Sequence, residues 1–320
     1  MFSSFLKILL ALLLVQGAIF AGTPRSRASA RSKPRPAKVR VKAKPKPKVR
    51  AKAKVRKGRS VRKVEAPGVL RLQSSAALVM DQATGEVLVA KQAEAPVPIA
   101  SLTKLMTAMV VLDAGLNLDE EIRIESEDKD TLRNSRSRLP VGTLLTRGEA
   151  LLLALAASEN RAAHALGRTY PGGTEACVVA MNAKAKALGL STARFRDTSG
   201  LDGGNQAAPR DLAAMVDAAH GYPVIRDYST RPETEIEAGR RRIAFNNTNG
   251  LVRNAQWAIG LSKTGYIREA GKCLVMQAHL SGRPLVIVLM DSWGRYTRQG
   301  DAIRIKQWLE HAVKTGKLRK

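Results

Sequence analysis

An α+β architecture, in which an antiparallel sheet from both ends of a domain packs against helices from its middle, follows from three features of the sequence. A hairpin pattern opens the domain near residue 76, successive strand-like runs appear after residue 260, and helical patterns occupy the stretch between. From about Val69 onward some 250 residues have ordinary globular composition, enough for one well-buried core. No internal repeat is apparent.

The opening hairpin pairs Ala76–Met80 with Glu86–Ala90 across the turn Asp81-Gln82-Ala83-Thr84-Gly85. Helices are predicted over Ser101–Ala114, from Thr146 into the 160s, and over Thr174–Ala187. The second is announced by a capping box, Thr146 with Glu149 three residues on. Strands are predicted over Gly260–Thr264, Lys272–Leu280 and Pro284–Asp291, and a final helix over about Gly300–Val313.

Residues 1–21 read as a secretory signal: Lys7, the apolar run Ile8–Val15, and a small-residue exit through Gly17 and Ala18 to Ala21. An uncleaved anchor is the alternative, since Ile19-Phe20-Ala21 is an imperfect small-x-small site; either way the protein is expected to work outside the cytoplasm. Residues 22–68 form a Lys/Arg/Ala/Pro-rich arm, and nineteen basic residues lie in it before the first acid, Glu65. Such a composition cannot bury enough apolar area to offset ordering entropy, so a disordered arm is expected. It reads either as a spacer or as an electrostatic attachment to a polyanion, such as an anionic envelope polymer or lipid head groups. With no aromatics interleaved to stack bases, nucleic acid is disfavoured as a partner.

Cys177 and Cys273 are too few for a disulfide scaffold; each reads as a small buried hydrophobe, with their pairing open. His164, His220, His279 and His311 are scattered with no HExxH spacing, which disfavours a zinc peptidase. No cofactor or metal is expected.

The chemistry lies in three short strings, Ser101-Leu102-Thr103-Lys104, Ser158-Glu159-Asn160 and Lys263-Thr264-Gly265. Ser101 and Lys104 sit three apart at the start of a helix and share one face. That helix is apolar nearly all round, so Lys104 should be buried. Desolvation, with Lys263 as a second cation, would lower its pKa and leave an amine able to take the proton of Ser101. Alone, the pair reads equally as a capping serine and a snorkelling lysine. Ser158 and Asn160 interrupt an apolar helical stretch and can face the nucleophile, one as proton relay and one as hydrogen-bonding amide, with Glu159 pointing away; alone, they could be a polar break between helices. The third string falls on an edge-like strand, where Gly265 admits a substrate backbone and Lys263 and Thr264 offer a cation and a hydroxyl to a carboxylate. The backbone N–H groups of Ser101 and Tyr266 are the candidate oxyanion hole.

In order and surroundings these strings resemble the serine D-Ala-D-Ala peptidases, low-molecular-mass penicillin-binding proteins that share the serine β-lactamase fold. Ser101–Ala114, Ser158–Ala163, Tyr170-Pro171-Gly172-Gly173 and Met181–Lys186 most resemble the D-alanyl-D-alanine endopeptidase branch. The similarity runs from about Ser74 to Leu309 and implies a penicillin-binding-protein-like transpeptidase fold. It implies Ser101 as acylated nucleophile, Lys104 as its base, Ser158 and Asn160 as the second element, and Lys263 to Gly265 as the substrate-docking strand. Peptidoglycan is then the expected substrate, β-lactams covalent inhibitors, and the periplasm the expected location. Little chain follows the third string, so the extra C-terminal domain and amphipathic anchor of typical carboxypeptidases are expected to be missing. The region after the second string reads Arg196-Asp197-Thr198-Ser199-Gly200-Leu201, without the glutamate that a class A β-lactamase needs for deacylation. Bulky Ile267 and Arg268 depart from the family's small polar residues, and Arg268 is expected to pair either with a peptidoglycan carboxylate or with Glu269. A D-alanyl-D-alanine carboxypeptidase, and a non-catalytic envelope or polyanion binder, are the alternatives.

Overall fold

The computed structural model describes residues 70–239 and 241–318, so the expected signal and basic arm lie outside the described residues. Strand β1 (Ala76–Asp81) pairs antiparallel with β2 (Val87–Lys91) through the predicted turn, where the Asp81 carboxylate accepts from the N–H groups of Ala83 and Thr84 at 2.9 and 3.0 Å. After β3 (Val97–Pro98) come α1 (Thr103–Asp113), the hairpin-like pair β4 (Glu121–Arg123) and β5 (Leu144–Thr146), and α2 (Arg147–Leu152). The chain then continues as α3 (Asn160–Arg168), α4 (Gly173–Ala187), β6 (Gln206–Ala207), α5 (Pro209–His220), α6 (Pro223–Thr230), β7 (Glu233–Ala238) and β8 (Arg241–Asn246). It closes on β9 (Ala258–Ile267), β10 (Gly271–Leu280), β11 (Arg283–Ser292) and α7 (Thr297–Lys314).

The main sheet has the order β2-β1-β11-β10-β9, so β9 is an edge strand and the two ends of the domain meet where β1 pairs with β11. Both faces of its central strands are covered, which is why β10 and β11 read as nearly continuous apolar runs. On one face Ala77, Val79, Leu274, Met276, Ile287 and Leu289 pack with Ala302, Ile305 and Leu309 of α7. On the other, Leu78, Val275, Val286, Val288 and Met290 join the helical core, including Leu212, Met215 and Val216 of α5. Strand alternation sends neighbouring residues to opposite cores, so one truncation such as Val288→Ala would cost about 1–3 kcal/mol on its own side.

Helix α1 is buried over Thr103–Val111 and contacts α3, α4 and α5, which explains a sequence without a polar face. The predicted capping box is present, the Thr146 side chain accepting from Glu149 N–H and Glu149 accepting from Thr146 N–H. The long helix expected from Thr146 is broken: α2 widens into a π-helical turn over Leu153–Ala157 and stops at Ser158. Elements without a sequence expectation are the short strands β3 to β6, the helices α5 and α6, each opened by a proline at its first turn, and the β7–β8 hairpin. Of that hairpin's residues Ile236 and Phe245 are buried while its glutamates and arginines face outward, a pattern too polar to stand out from loop. Cys177 and Cys273 are both buried and unpaired.

Candidate active site

The residue before Ser101 sets the geometry. Ala100 has φ of 50°, a left-handed conformation that a residue with a Cβ rarely adopts, and the chain then turns through a short 3-10 segment, Ala100–Leu102, into α1. The bend is held from outside. Gly200, itself at φ 83°, lies so close to Ala100 that a Cβ there would sit 2.0 Å from the Ala100 carbonyl oxygen. On the other side, a Cβ on Gly265 would lie 3.0 Å from the Ile99 carbonyl and 3.2 Å from Ser101 N, so β9 presses its backbone against the nucleophile's own amide. Ser101 is thus clamped between a loop and the sheet edge.

Lys104 is 1% exposed, and its Nζ lies 2.8 Å from Ser101 Oγ, 2.8 Å from Asn160 Oδ1 and 2.6 Å from the Ser199 carbonyl. Three acceptors satisfy an ammonium. As an amine, the same group donates to Asn160 and Ser199 and directs its lone pair at the Ser101 hydroxyl. Burial pulls its pKa down to about 8, against the attraction of Asp197 and Glu159, which favours the charged form. A pKa near 8 keeps a minor fraction of the neutral amine available as base at neutral pH.

Ser158, at φ 59°, ends the π-helical turn and lines the cleft with Ser101 and Asn160. The left-handed turn at Ser158 lets the chain restart as α3 at Asn160, so serine and asparagine face the same space. Asn160 is fixed at both ends, its Oδ1 accepting from Lys104 and its Nδ2 donating to Ser135 Oγ at 2.9 Å. Glu159 points away from the nucleophile to cap α3, accepting from Arg161 N–H at 3.2 Å.

The third string divides. Thr264 and Gly265 line the cleft, and Thr264 Oγ1 lies 2.6 Å from Thr248 Oγ1. Lys263 does not line it: it is 1% exposed and donates to the Thr264 carbonyl at 3.0 Å. Its pKa lies well below the ordinary value because of burial and because the Lys104 and Arg298 cations stand nearby. Lys263 is therefore not the cation displayed in the cleft, contrary to expectation. Burial is the largest cause lowering Lys104, and the repulsion between the two lysines acts on both.

The displayed cation is Arg298, on the first turn of α7, which lines the cleft while its buried Nε and Nη1 meet no acceptor among the described residues. Desolvation lowers its pKa. Nothing in the sequence distinguished it from the other arginines. Ser199, Ser135 and Arg133 were missed as well; Ser199 contributes a backbone carbonyl, which carries no residue signature. The string Asp197-Thr198-Ser199-Gly200 did carry one, a glycine among polar residues between helices. Its Asp197 accepts from Ser199 Oγ, Gly200 N–H and Asn205 Nδ2 at 2.5, 2.9 and 2.6 Å, rigidifying the loop behind Lys104. The cleft has a volume of about 570 Å3 and carries Arg133, Arg268 and Arg298 but no acidic residue in its lining. No group of His, Cys, Asp and Glu that could hold a metal ion occurs among the described residues.

The chain that carries this serine and buried lysine matches the family model described as D-alanyl-D-alanine carboxypeptidase, peptidase S11, over residues 61–294. The chain belongs to that family of serine D-Ala-D-Ala peptidases. Among its relatives is a D-alanyl-D-alanine endopeptidase of Pseudomonas aeruginosa, 45% identical over 78% of this chain and 81% of that protein. A D-alanyl-D-alanine endopeptidase of Escherichia coli is 41% identical over 77% and 79%. In structure, the DD-peptidase chain resembles a Streptomyces DD-transpeptidase with a TM-score of 0.70 at 27% identity, covering 76% of this chain and 98% of that one. The expected α+β penicillin-binding-protein fold is therefore present.

Proposed function

We propose that this peptidase is a DD-endopeptidase that opens D-alanyl to meso-diaminopimelate cross-links of peptidoglycan through a Ser101 acyl-enzyme. The observation that carries the chemistry is Lys104 Nζ at 2.8 Å from Ser101 Oγ with a pKa pulled down to about 8. The names of its endopeptidase relatives support the choice of bond.

Neutral Lys104 takes the proton of Ser101 as Oγ attacks the D-alanyl carbonyl. The backbone N–H groups of Ser101 and Tyr266 face the developing oxyanion, and the close packing of Gly265 on Ser101 N supports that pairing. The tetrahedral intermediate collapses, breaking the C–N bond, and the leaving amine receives the proton from Lys104 through Ser158. Water then attacks the ester by the same route and restores Ser101. Asn160 holds Lys104 and bonds the substrate amide. Thr264 and Arg298 receive the carboxylate beside the scissile nitrogen, with Lys263 adding positive potential from behind the strand. A β-lactam presents a carbonyl and a carboxylate in a similar relation, so it acylates Ser101. The N-terminal sequence supports export to the periplasm, and the basic segment 22–68 supports retention at an anionic envelope polymer or lipid surface.

The test gives the full chain equal amounts of cross-linked muropeptide dimer and pentapeptide monomer, with Ser101→Ala beside it, and follows products by mass spectrometry. Loss of the dimer to monomers with the wild type alone is expected. Release of D-Ala with the dimer intact would make the enzyme a carboxypeptidase, and turnover of neither would leave only a binding role.

A further inference from the structure

Three arginines line the cleft, and their charges are differently committed. Arg133 is spent: its Nη1 and Nη2 lie 2.9 and 3.1 Å from the two carboxylate oxygens of Glu269, and its Nε donates to the Leu201 carbonyl. Arg298 belongs to the leaving-group end described above. Arg268 is exposed, stands on the turn that follows β9, and has no ion-pair or hydrogen-bond partner among the described residues. Its sequence neighbour Glu269 was one of the two expected partners, and that acid reaches instead to Arg133. With the Glu269 carboxylate bonded to Arg133, Arg268 meets that acid only across space and stands without a contact partner among the described residues, at the rim of a cleft with no acid in its lining.

Its position along the strand gives that charge a direction. Lys263, close enough to Arg298 for the two cations to repel, marks the leaving-group end of β9. Gly265 marks the nucleophile, and Tyr266, Ile267 and Arg268 line the cleft beyond it. Three residues at about 3.3 Å each put Arg268 on the order of 10 Å past the nucleophile, on the acyl side of the scissile bond. One residue of extended peptide covers about a third of that span, so a long side chain on the neighbouring residue must cover the rest. We infer that Arg268 is a specificity-determining residue that binds a second substrate carboxylate, carried by the residue that precedes the acylated D-alanine. A diamino acid whose side chain ends in a free carboxylate has that group at the right reach. The inference rests on the endopeptidase reading above.

The experiment compares the full-length enzyme on two cross-linked dimers, one with the free carboxylate on the acyl-donor diaminopimelate and one with that carboxylate amidated. A charge-assisted hydrogen bond at an exposed rim predicts that the wild type favours the free acid in kcat/KM by about tenfold. Arg268→Gln should bring that ratio close to one, Arg268→Lys should retain part of it, and Arg268→Glu should invert it, with thermal melts reporting folding. An Arg268→Gln enzyme that keeps the wild-type ratio overturns the inference, and so does a wild type that does not distinguish the dimers. A wild type that binds penicillin yet cleaves neither dimer refutes the endopeptidase reading and takes the inference with it, a result distinct from cleavage without discrimination.

Discussion

The two walls of the cleft hold cations in opposite states. On the helical wall Lys104 is saturated by Ser101, Asn160 and Ser199, each acceptor fixed by a loop or helix of its own. On the strand wall Lys263 reaches one carbonyl, and Arg298 holds two buried nitrogens without an acceptor. Burial is common to both walls, so burial alone does not define a catalytic base. What distinguishes Lys104 is a full set of short contacts that includes the nucleophile, whereas Arg298 is left for an anion brought by the substrate. Chemistry is preorganised on one wall and binding potential is stored on the other.

The comparison breaks most completely at the nucleophile. Ser101→Ala or Lys104→Ala should lower kcat by about 10^6-fold, as for removal of a serine nucleophile or its base elsewhere, measured as dimer cleavage in single-turnover assays. Gly200→Ala comes next. The added methyl would lie 2.0 Å from the Ala100 carbonyl at a positive φ, so the loop and the Ser101 turn must separate. A loss of about 3 kcal/mol of stability in denaturant unfolding is expected, together with loss of penicillin acylation. On the strand wall, Arg298→Gln should lower kcat/KM about 10- to 100-fold, chiefly through KM, because it removes a charge-assisted bond to substrate.

The pH profile sharpens the contrast further. Lys104 works as the neutral amine, so kcat/KM should fall about tenfold for each unit below about 8 and level off above it. Substitution of Lys263 by an uncharged residue removes a neighbour that repels the Lys104 ammonium, so it should reduce the rate and move that midpoint upward. The smallest effect concerns the thiols. Burial pushes both Cys177 and Cys273 up to about 12 and they are unpaired, so dithiothreitol should shift the melting temperature by less than about 1 °C.

The helical wall was largely legible in sequence because its signals are local. Ser101 and Lys104 are three residues apart on one helix, and Ser158 and Asn160 interrupt an apolar run, so spacing carries the geometry. The strand wall was legible only in part. Edge position and the close approach of Gly265 followed from composition, but strand direction put Lys263 behind the sheet edge, which periodicity could not decide. Arg298 reaches the cleft from a helix that starts after the last strand, and Ser199 enters through a carbonyl 95 residues from Lys104. Such contacts depend on tertiary packing of segments distant in the chain. Glu269 illustrates the same limit, since its partner proved to be Arg133, 136 residues away, rather than adjacent Arg268.

The most direct test of the account treats the full chain with benzylpenicillin and locates the adduct by peptide mass spectrometry, at pH 6 and pH 9. The account predicts one adduct, on the peptide that contains Ser101, formed faster at pH 9 and absent from Ser101→Ala. An adduct on another residue, or labelling of Ser101→Ala at the wild-type rate, would contradict it.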